Sequence, residues 1–445
     1  MFEISSYANI LSVMKTIQKP FLLLALTLVL VSTTFMIKAC SSKFYPDRNN
    51  KLKIELFTAE KEIKAVKAYL NTLTLEEMAA QIFLVNIGGN STFYPAENYN
   101  GKSLIPGGYL FFSFNLANSP EKIVAFTESI TQFCQNNSQL APFLAIDQEG
   151  GLVNRLKYIT SPFPSNQLVA ANLHPEQANE MYRYQAEQMK CLGFHMNLSP
   201  VAEASNPTNS LFLDTRSFGS IDETILFSKA QIYSFQTQDV SCVVKHFPGN
   251  TNTDPHSGLP RFNVNKAFFE NNFLSPFREI LEAGPDAVLL SHAIVPQYDE
   301  NPADLSEYWI RSVLRNDYKY HGLTISDDIL MGALEKNGYP AEEAVIKAVE
   351  SGIDVIMLSQ KNFSFLLDIL LNKAEEDKEF VKKIYESAYH VICYKIKAGL
   401  LRFEKNKDGT FYLTPCYNHK NSQNLPDFYR SKDLGQRFYM EHFQQ

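Results

Sequence analysis

Eight short apolar runs recur along this chain with helical patterns between most of them, and that alternation narrows the folds open to it more than any other feature. The runs are Phe83–Ile87, Gly108–Phe112, Phe143–Asp147, Phe194–Leu198, Val240–Phe247, Ala287–His292, Leu323–Asp328 and Asp354–Leu358. Helical spacing appears over Pro120–Cys134, Pro175–Cys191, Asp222–Thr237, Lys266–Ala283 and Ala341–Ser351. Continuous apolar strands read as buried on both faces, and such strands separated by helices form a parallel sheet. Eight strand–helix units predict a closed (β/α)8 TIM-type barrel, an α/β fold forming a single catalytic domain. The alternative is an open doubly wound sheet. The first strand is followed by no Gly-x-Gly-x-x-Gly and the chain has no Walker loop, so a nucleotide-binding version of that sheet lacks its signature.

The barrel predicts that polar residues at strand ends converge on one mouth. The third run ends in Asp147-Gln148-Glu149-Gly150-Gly151, the fourth in Asn197-Leu198-Ser199-Pro200 and the fifth in Lys245-His246. The sixth ends in Ser291-His292 and the seventh in Asp327-Asp328. Charged groups at the ends of buried strands are costly unless paired or used. After the fifth strand the chain breaks at Pro248-Gly249 into a polar loop carrying Asp254-Pro255-His256, which is expected to be mobile when empty. An isolated histidine is more often a packing or surface residue than a catalyst. Two histidines, a lysine and an aspartate within twelve residues after a buried strand are not demanded by packing, and loops after barrel strands are where catalytic groups reside.

The flanks suggest export. Phe21–Ile37 has no charge and no proline, Lys15 and Lys19 precede it, and Ala39-Cys40-Ser41-Ser42 follows. These are the basic, apolar and small-residue zones of a signal peptide, with Cys40 as the lipidated residue if the signal is of the lipoprotein type. A retained membrane anchor is the alternative, since the run is near the lower length limit for one. Residues 1–40 are read as this signal or anchor, 41–57 as a polar tether, 58–400 as the barrel domain and 401–445 as a C-terminal tail with a solvated, charged surface. A cell-envelope location follows, membrane-attached and periplasmic or outer-surface. Thr74-Leu75-Glu76-Glu77 is a capping box opening a short helix. Cys134, Cys191, Cys242 and Cys393 lie in apolar stretches and, with Cys416, show no metal spacing, so buried free thiols are expected rather than a disulfide framework. A net charge of −7 leaves no basic patch for nucleic acid. A neutral or modestly polar substrate, no cofactor, no metal and a monomer are expected.

Several of these segments resemble the bacterial N-acetyl-β-glucosaminidases of glycoside hydrolase family three. Ile146-Asp147-Gln148-Glu149-Gly150-Gly151 is similar to that family's Asp-x-Glu-Gly-Gly strand end, and Asp214-Thr215-Arg216-Ser217-Phe218-Gly219 to its Asp-x-Arg-Ser-Phe segment. Lys245-His246-Phe247-Pro248-Gly249 matches the most diagnostic stretch, and Asn301–Ser306 and Ser326-Asp327-Asp328 are also family-like. The resemblance covers about Thr74 to Ser359. It implies that Asp327 is the nucleophile and Asp328 a supporting residue, with His256 the acid/base and Asp254 its dyad partner. It also implies that Asp147, Arg216, Lys245 and His246 hold the sugar hydroxyls and N-acetyl group, a binding set to which Arg155 and His292 are added. Three departures stand out. The loop from Gly249 to Asp254 is two residues shorter than usual, Leu152 stands where arginine is common, and Ala202-Glu203 replaces the usual Leu-Asp. The tail is too short for the second domain that many members carry.

The chemistry can be stated from the residues themselves. A β-glycosidic bond breaks through an oxocarbenium-like state, which a carboxylate beside the anomeric carbon stabilises and then captures, while a second group protonates the leaving oxygen. Asp327 on a rigid strand end suits the first role. A loop histidine oriented by a carboxylate suits the second at neutral pH. The expected activity is a retaining, exo-acting β-N-acetylhexosaminidase acting on terminal β-linked N-acetylglucosamine in a small carbohydrate or muropeptide, in peptidoglycan recycling or glycan scavenging. Three other readings remain: a phosphorylase of the same family, a non-catalytic envelope sugar-binding protein, and a metal hydrolase using Asp254, His256, His246 and His292.

Overall fold

The computed structural model of the protein describes residues 60–417 and 421–444. The signal or anchor, the tether and Cys40 lie outside the described residues. The eight expected strands are present as β1 (Phe83–Asn86), β2 (Gly108–Phe111), β3 (Phe143–Ile146), β4 (Met196–Asn197), β5 (Ser241–Phe247), β6 (Ala287–Leu290), β7 (Leu323–Ser326) and β8 (Ile356–Leu358). Every residue in them is buried, as parallel strands covered on both faces require.

The strands pair in sequence from β1 to β7, and β8 returns to lie beside β1. All pairings are parallel. The seam between β7 and β8 is narrow: one bridge joins Ile325 to Val355, and Ser326 N donates to Val355 O at 3.0 Å. Gly108 on β2 is forced by packing, because a Cβ there would stand 2.4 Å from the Phe143 ring of β3. The ladder runs on past the formal strand ends: Leu198 N donates to Ile146 O at 2.9 Å and Asp327 N to Leu290 O at 3.0 Å. The polar residues after the strands therefore start from anchored backbone.

Helices form close to the expected places, at Pro120–Asn136, Pro175–Cys191, Ile221–Gln236 and Ala341–Ser351. The Thr74 capping box is made, with Glu77 N donating to Thr74 Oγ1 at 3.1 Å and Thr74 N to Glu77 Oε2 at 2.9 Å. The expected single helix over Lys266–Ala283 is instead three segments, Lys266–Phe269, a wide-turned Glu270–Leu274 and Ser275–Leu281. Pro276 has no N–H to give the preceding turn, so a uniform helical ladder cannot cross it.

The C-terminal residues are more ordered than a solvated tail. Leu401–Lys405 and Phe411–Pro415 form an antiparallel hairpin, and Leu425–Phe443 is a helix with Phe428, Ser431, Gly435 and Phe438 buried. Gly435 faces Ser161 and Tyr184 so closely that a Cβ would lie 2.4 Å from Ser161 Oγ, and Ser431 Oγ donates to Tyr184 O at 3.2 Å. The expected thiols are free, with Cys134, Cys191, Cys242 and Cys393 buried and Cys416 partly so.

Candidate active site

The C-terminal ends of the strands enclose a cavity of about 330 Å³. Asp147, Arg155, Arg216, Lys245, His246, His256, Asp327 and Asp328 all line it. Phe112, Phe212, Met331 and Met357 supply apolar wall. These charged residues come from the ends of four strands, β3, β4, β5 and β7, and the loops after them, which is how a barrel composes a site at its mouth.

On one side of the cavity, four charged side chains form a chain of ion pairs, Asp147–Lys245–Glu149–Arg216. Lys245 Nζ lies 2.7 Å from Asp147 Oδ1 and 2.6 Å from Glu149 Oε1. Arg216 grips Glu149 in a forked pair, Nε to Oε2 at 2.8 Å and Nη2 to Oε1 at 2.9 Å. The Lys245 and Glu149 side chains are only 4% and 2% exposed, so each charge depends on its partners rather than on water. Burial pushes the Glu149 carboxyl up, but Lys245 and Arg216 together hold it well below the usual carboxylate range. Burial likewise opposes the Lys245 charge, and Asp147 and Glu149 overcome it, leaving its pKa raised. Arg155 lies over the Phe112 ring at 5.7 Å, with Nη2 3.8 Å from Asp147 Oδ2. The turn leading into this network needs glycine, because a Cβ on Gly150 (φ +95°) would stand 2.1 Å from Pro164 O. Leu152, where an arginine is common, points outward and is exposed.

His246 is oriented by Glu203, whose Oε1 lies 2.7 Å from His246 Nδ1. An ionised carboxylate only accepts, so we assign the imidazole proton to Nδ1; Nε2 then faces Arg216 Nη2 at 3.5 Å. Glu203 Oε2 also accepts the Asn250 N–H at 2.6 Å. The loop that follows is less free than its polar sequence suggested. Asn250 and Thr251 are buried, and Asn252 is tied on both sides, its Nδ2 donating to Pro207 O and its Oδ1 accepting from Leu211 N, each at 2.8 Å. Only beyond these anchors does the loop rise to Asp254 and His256, which stand at the rim. His256 Nδ1 lies 2.7 Å from Asp254 Oδ1, and its side chain is 74% exposed. The His256 N–H and ring hold the Asp254 carboxyl below its ordinary value.

Across the cavity, Asp327 and Asp328 follow β7. Asp328 N donates to Asp327 Oδ1 at 2.8 Å, which fixes the orientation of that carboxylate. Burial raises the Asp328 pKa, against hydrogen bonds from Ser359 and the Leu330 N–H. His292, expected in the binding set, does not reach the cavity. It is fully buried beneath the aspartates, 2.9 Å from Asp304 Oδ2 through Nδ1 and 3.1 Å from Asp328 O through Nε2. It can act on the site only through the backbone and field of Asp327-Asp328. Burial would lower its pKa, but Asp304, and to a lesser degree Asp327, raise it to about 9.

Three residues that matter here were given no role from sequence. Glu149 sits inside a strand end already suspected, and its charge beside two glycines was a usable signal. Glu203 and Asp304 stood in segments already noted, but nothing in the sequence pointed to His246 and His292 as their partners. Of the four residues of the metal-hydrolase reading, only Asp254 and His256 meet; His246 is held by Glu203 and His292 by Asp304. Among the described residues no group of three His, Cys, Asp or Glu side chains is placed to hold a metal ion.

Comparison with known proteins agrees with this architecture. A β-hexosaminidase from Tolumonas auensis is 30% identical over 258 residues, covering 56% of this chain and 75% of its own length. A β-hexosaminidase A from Pseudoalteromonas piscicida is 28% identical over 274 residues, and there the match covers 57% of this chain and only 45% of the relative. Among solved structures, a glycoside hydrolase family 3 β-N-acetylglucosaminidase from Paenibacillus superposes with a TM-score of 0.67 at 25% identity, covering 81% of this chain and 69% of that one. The profile described as glycosyl hydrolase family 3 N terminal domain matches residues 74–393, and with that match the chain belongs to glycosyl hydrolase family 3.

Proposed function

We propose that the protein is a retaining, exo-acting β-N-acetylhexosaminidase that removes terminal β-linked N-acetylglucosamine. One observation carries this reading: Asp327, oriented by the Asp328 N–H, lines the same small cavity as the Asp147–Lys245–Glu149–Arg216 network and His256 of the rim pair. The names of the curated relatives point to the same substrate class.

In the first step an Asp327 carboxylate oxygen attacks the anomeric carbon as the bond to the leaving oxygen breaks. His256, in its charged form, gives that oxygen a proton. In the second step His256 takes a proton from water, the water oxygen attacks the same carbon, and the bond to Asp327 breaks. Two inversions retain the β configuration. Asp254, 2.7 Å from His256 Nδ1, orients the imidazole. Lys245 and Arg216 are already satisfied by carboxylates, so they present donors in fixed directions to sugar hydroxyls and the acetamido oxygen. A sugar lacking those groups leaves buried polar atoms unpaired. A cavity of about 330 Å³ suits one terminal sugar rather than a through-running chain.

The test is hydrolysis of para-nitrophenyl N-acetyl-β-D-glucosaminide by the full chain, Asp327→Ala and His256→Ala, with the β-glucoside as control. Turnover of the acetamido substrate alone, lost in Asp327→Ala and slowed in His256→Ala, supports the reading; activity untouched by Asp327→Ala refutes the mechanism. Running the assay with and without phosphate separates a hydrolase from a phosphorylase, and proton NMR of the first-formed anomer tests retention. We also propose an envelope location, motivated by the uncharged run Phe21–Ile37 and Cys40, with cell-wall glycan fragments as substrate. Labelled palmitate incorporated into the wild type but not into Cys40→Ser would support lipidation.

A further inference from the structure

The loop bearing the Asp254–His256 pair is held to the segment after β4 by two anchors. The inner anchor is Glu203. Its carboxylate accepts from the backbone N–H of His246 at 3.3 Å and of Asn250 at 2.6 Å, and lies 2.7 Å from His246 Nδ1. The outer anchor is Asn252, whose amide spans Pro207 O and Leu211 N. The segment making both contacts is itself locked, with Asn209 Nδ2 donating to Ala204 O at 3.1 Å and Asn209 Oδ1 accepting from Asn206 N at 2.9 Å.

We propose that Glu203 and Asn252 are positioning residues that set the height of His256 above the cavity, and so decide how well the protein cleaves substrates whose leaving group must be protonated. The proposal rests on the glycosidase reading above. Three residues lie between Asn252 and His256, and the four chain steps span at most roughly 14 Å when fully extended, so a fixed Asn252 confines the imidazole to a short arc over the mouth. Glu203 couples that arc to the sugar-facing side, because the same carboxylate orients His246. Without the anchors the pair Asp254–His256 still forms, since it is local, but its distance to the glycosidic oxygen is no longer held. General acid catalysis needs the donor within hydrogen-bond reach of the leaving oxygen in the transition state.

The two anchors carry different signatures. Asn252 is exposed and touches no cavity group, so Asn252→Ala is expected to fold normally and to affect protonation alone. Glu203→Asp, one methylene shorter, is expected to disturb His246 as well and to raise KM for both substrates. The measurement is kcat/KM of the full chain on two substrates, N,N′-diacetylchitobiose, whose leaving alkoxide needs a proton, and 2,4-dinitrophenyl N-acetyl-β-D-glucosaminide, whose leaving group does not. Asn252→Ala should lose about tenfold or more on the disaccharide and less than about threefold on the dinitrophenyl glycoside. In a His256→Ala background the same substitution should have no further effect, because the group it positions is gone. Equal losses on both substrates, no loss on either, or an undiminished effect in the His256→Ala background would overturn the proposal. Turnover of neither substrate by the unaltered chain would overturn the glycosidase reading and this inference with it.

Discussion

Replacing Asp304 by asparagine isolates the field beneath the aspartates that follow β7. His292 and Asp304 are both wholly buried and 2.9 Å apart, and the histidine holds its proton up to a pKa of about 9. An unfolded histidine titrates near 6.5, and each tenfold change in proton affinity is worth ~1.4 kcal/mol, so the difference amounts to about 3 kcal/mol of stability. The sign follows from which state binds the proton more tightly. The folded state does, so the contribution is complete below pH 6.5, declines between 6.5 and about 9, and is gone above that. In Asp304→Asn the counter-charge is absent, burial dominates, and the histidine is neutral at pH 7. The assay is urea denaturation of both proteins at half-unit intervals from pH 6 to pH 9.5. The substitution also removes the burial that raises the Asp304 carboxyl pKa, which offsets part of this, so Asp304→Asn should be less stable by at most about 3 kcal/mol at pH 6, and the gap should narrow as the pH rises to 9.5. Taking the difference cancels the buried thiols, which also titrate at the alkaline end. A gap that is constant across this range, or one that widens with pH, would refute the reasoning.

Three further outcomes are expected. Lys245→Met leaves Asp147 and Glu149 sharing the mouth with less cation between them, and should cost roughly 3–5 kcal/mol by denaturant titration; Lys245→Met/Glu149→Gln should recover part of that loss. Gly435→Ala drives a methyl group into Ser161 and should destabilise by about 1–3 kcal/mol, read in the same way, whereas Gly409→Ala in the hairpin turn meets no backbone and is limited to the strain of its positive φ. With Ellman's reagent, of the five cysteines among the described residues Cys416 should react first in the native protein, with Cys134, Cys191, Cys242 and Cys393 reacting only on unfolding, since burial raises the Cys134 and Cys393 thiols to about 12; rapid native reaction at any of the four would contradict their packing.

The parts of the site that were legible in the sequence share one trait. Asp147, Lys245, His246, Asp327 and Asp328 each end an apolar run, and a charge in that place has a short list of explanations. Their common mouth followed from the parallel topology alone. Glu203 and Asp304 had no such signal. Glu203 meets His246 across 43 positions of sequence, and Asp304 meets His292 only because the chain after β6 folds back beneath β7. His292 was misplaced for the same reason: a histidine at a strand end can face the cavity or turn under it, and its partner decides which. The polar loop after Gly249 looked mobile from composition, but composition does not show that Asn250 and Asn252 find carboxylate and backbone partners in the β4 loop.

The C-terminal region makes the same division. Hydrophobic spacing shows that a helix is able to form over Leu425–Phe443, but Phe428, Phe438 and the bare backbone of Gly435 acquire meaning only against the helix Pro175–Cys191. The amino-acid sequence by itself determined the eight strands, their burial on both faces, the barrel and the strand ends at which its chemistry gathers, because those follow from local periodicity and the cost of burying charge. Tertiary structure alone decided which carboxylate neutralises which cation, which histidine faces the cavity and where the rim loop is tied. Those pairings join residues distant in sequence, and only closure of the barrel brings them within hydrogen-bond reach.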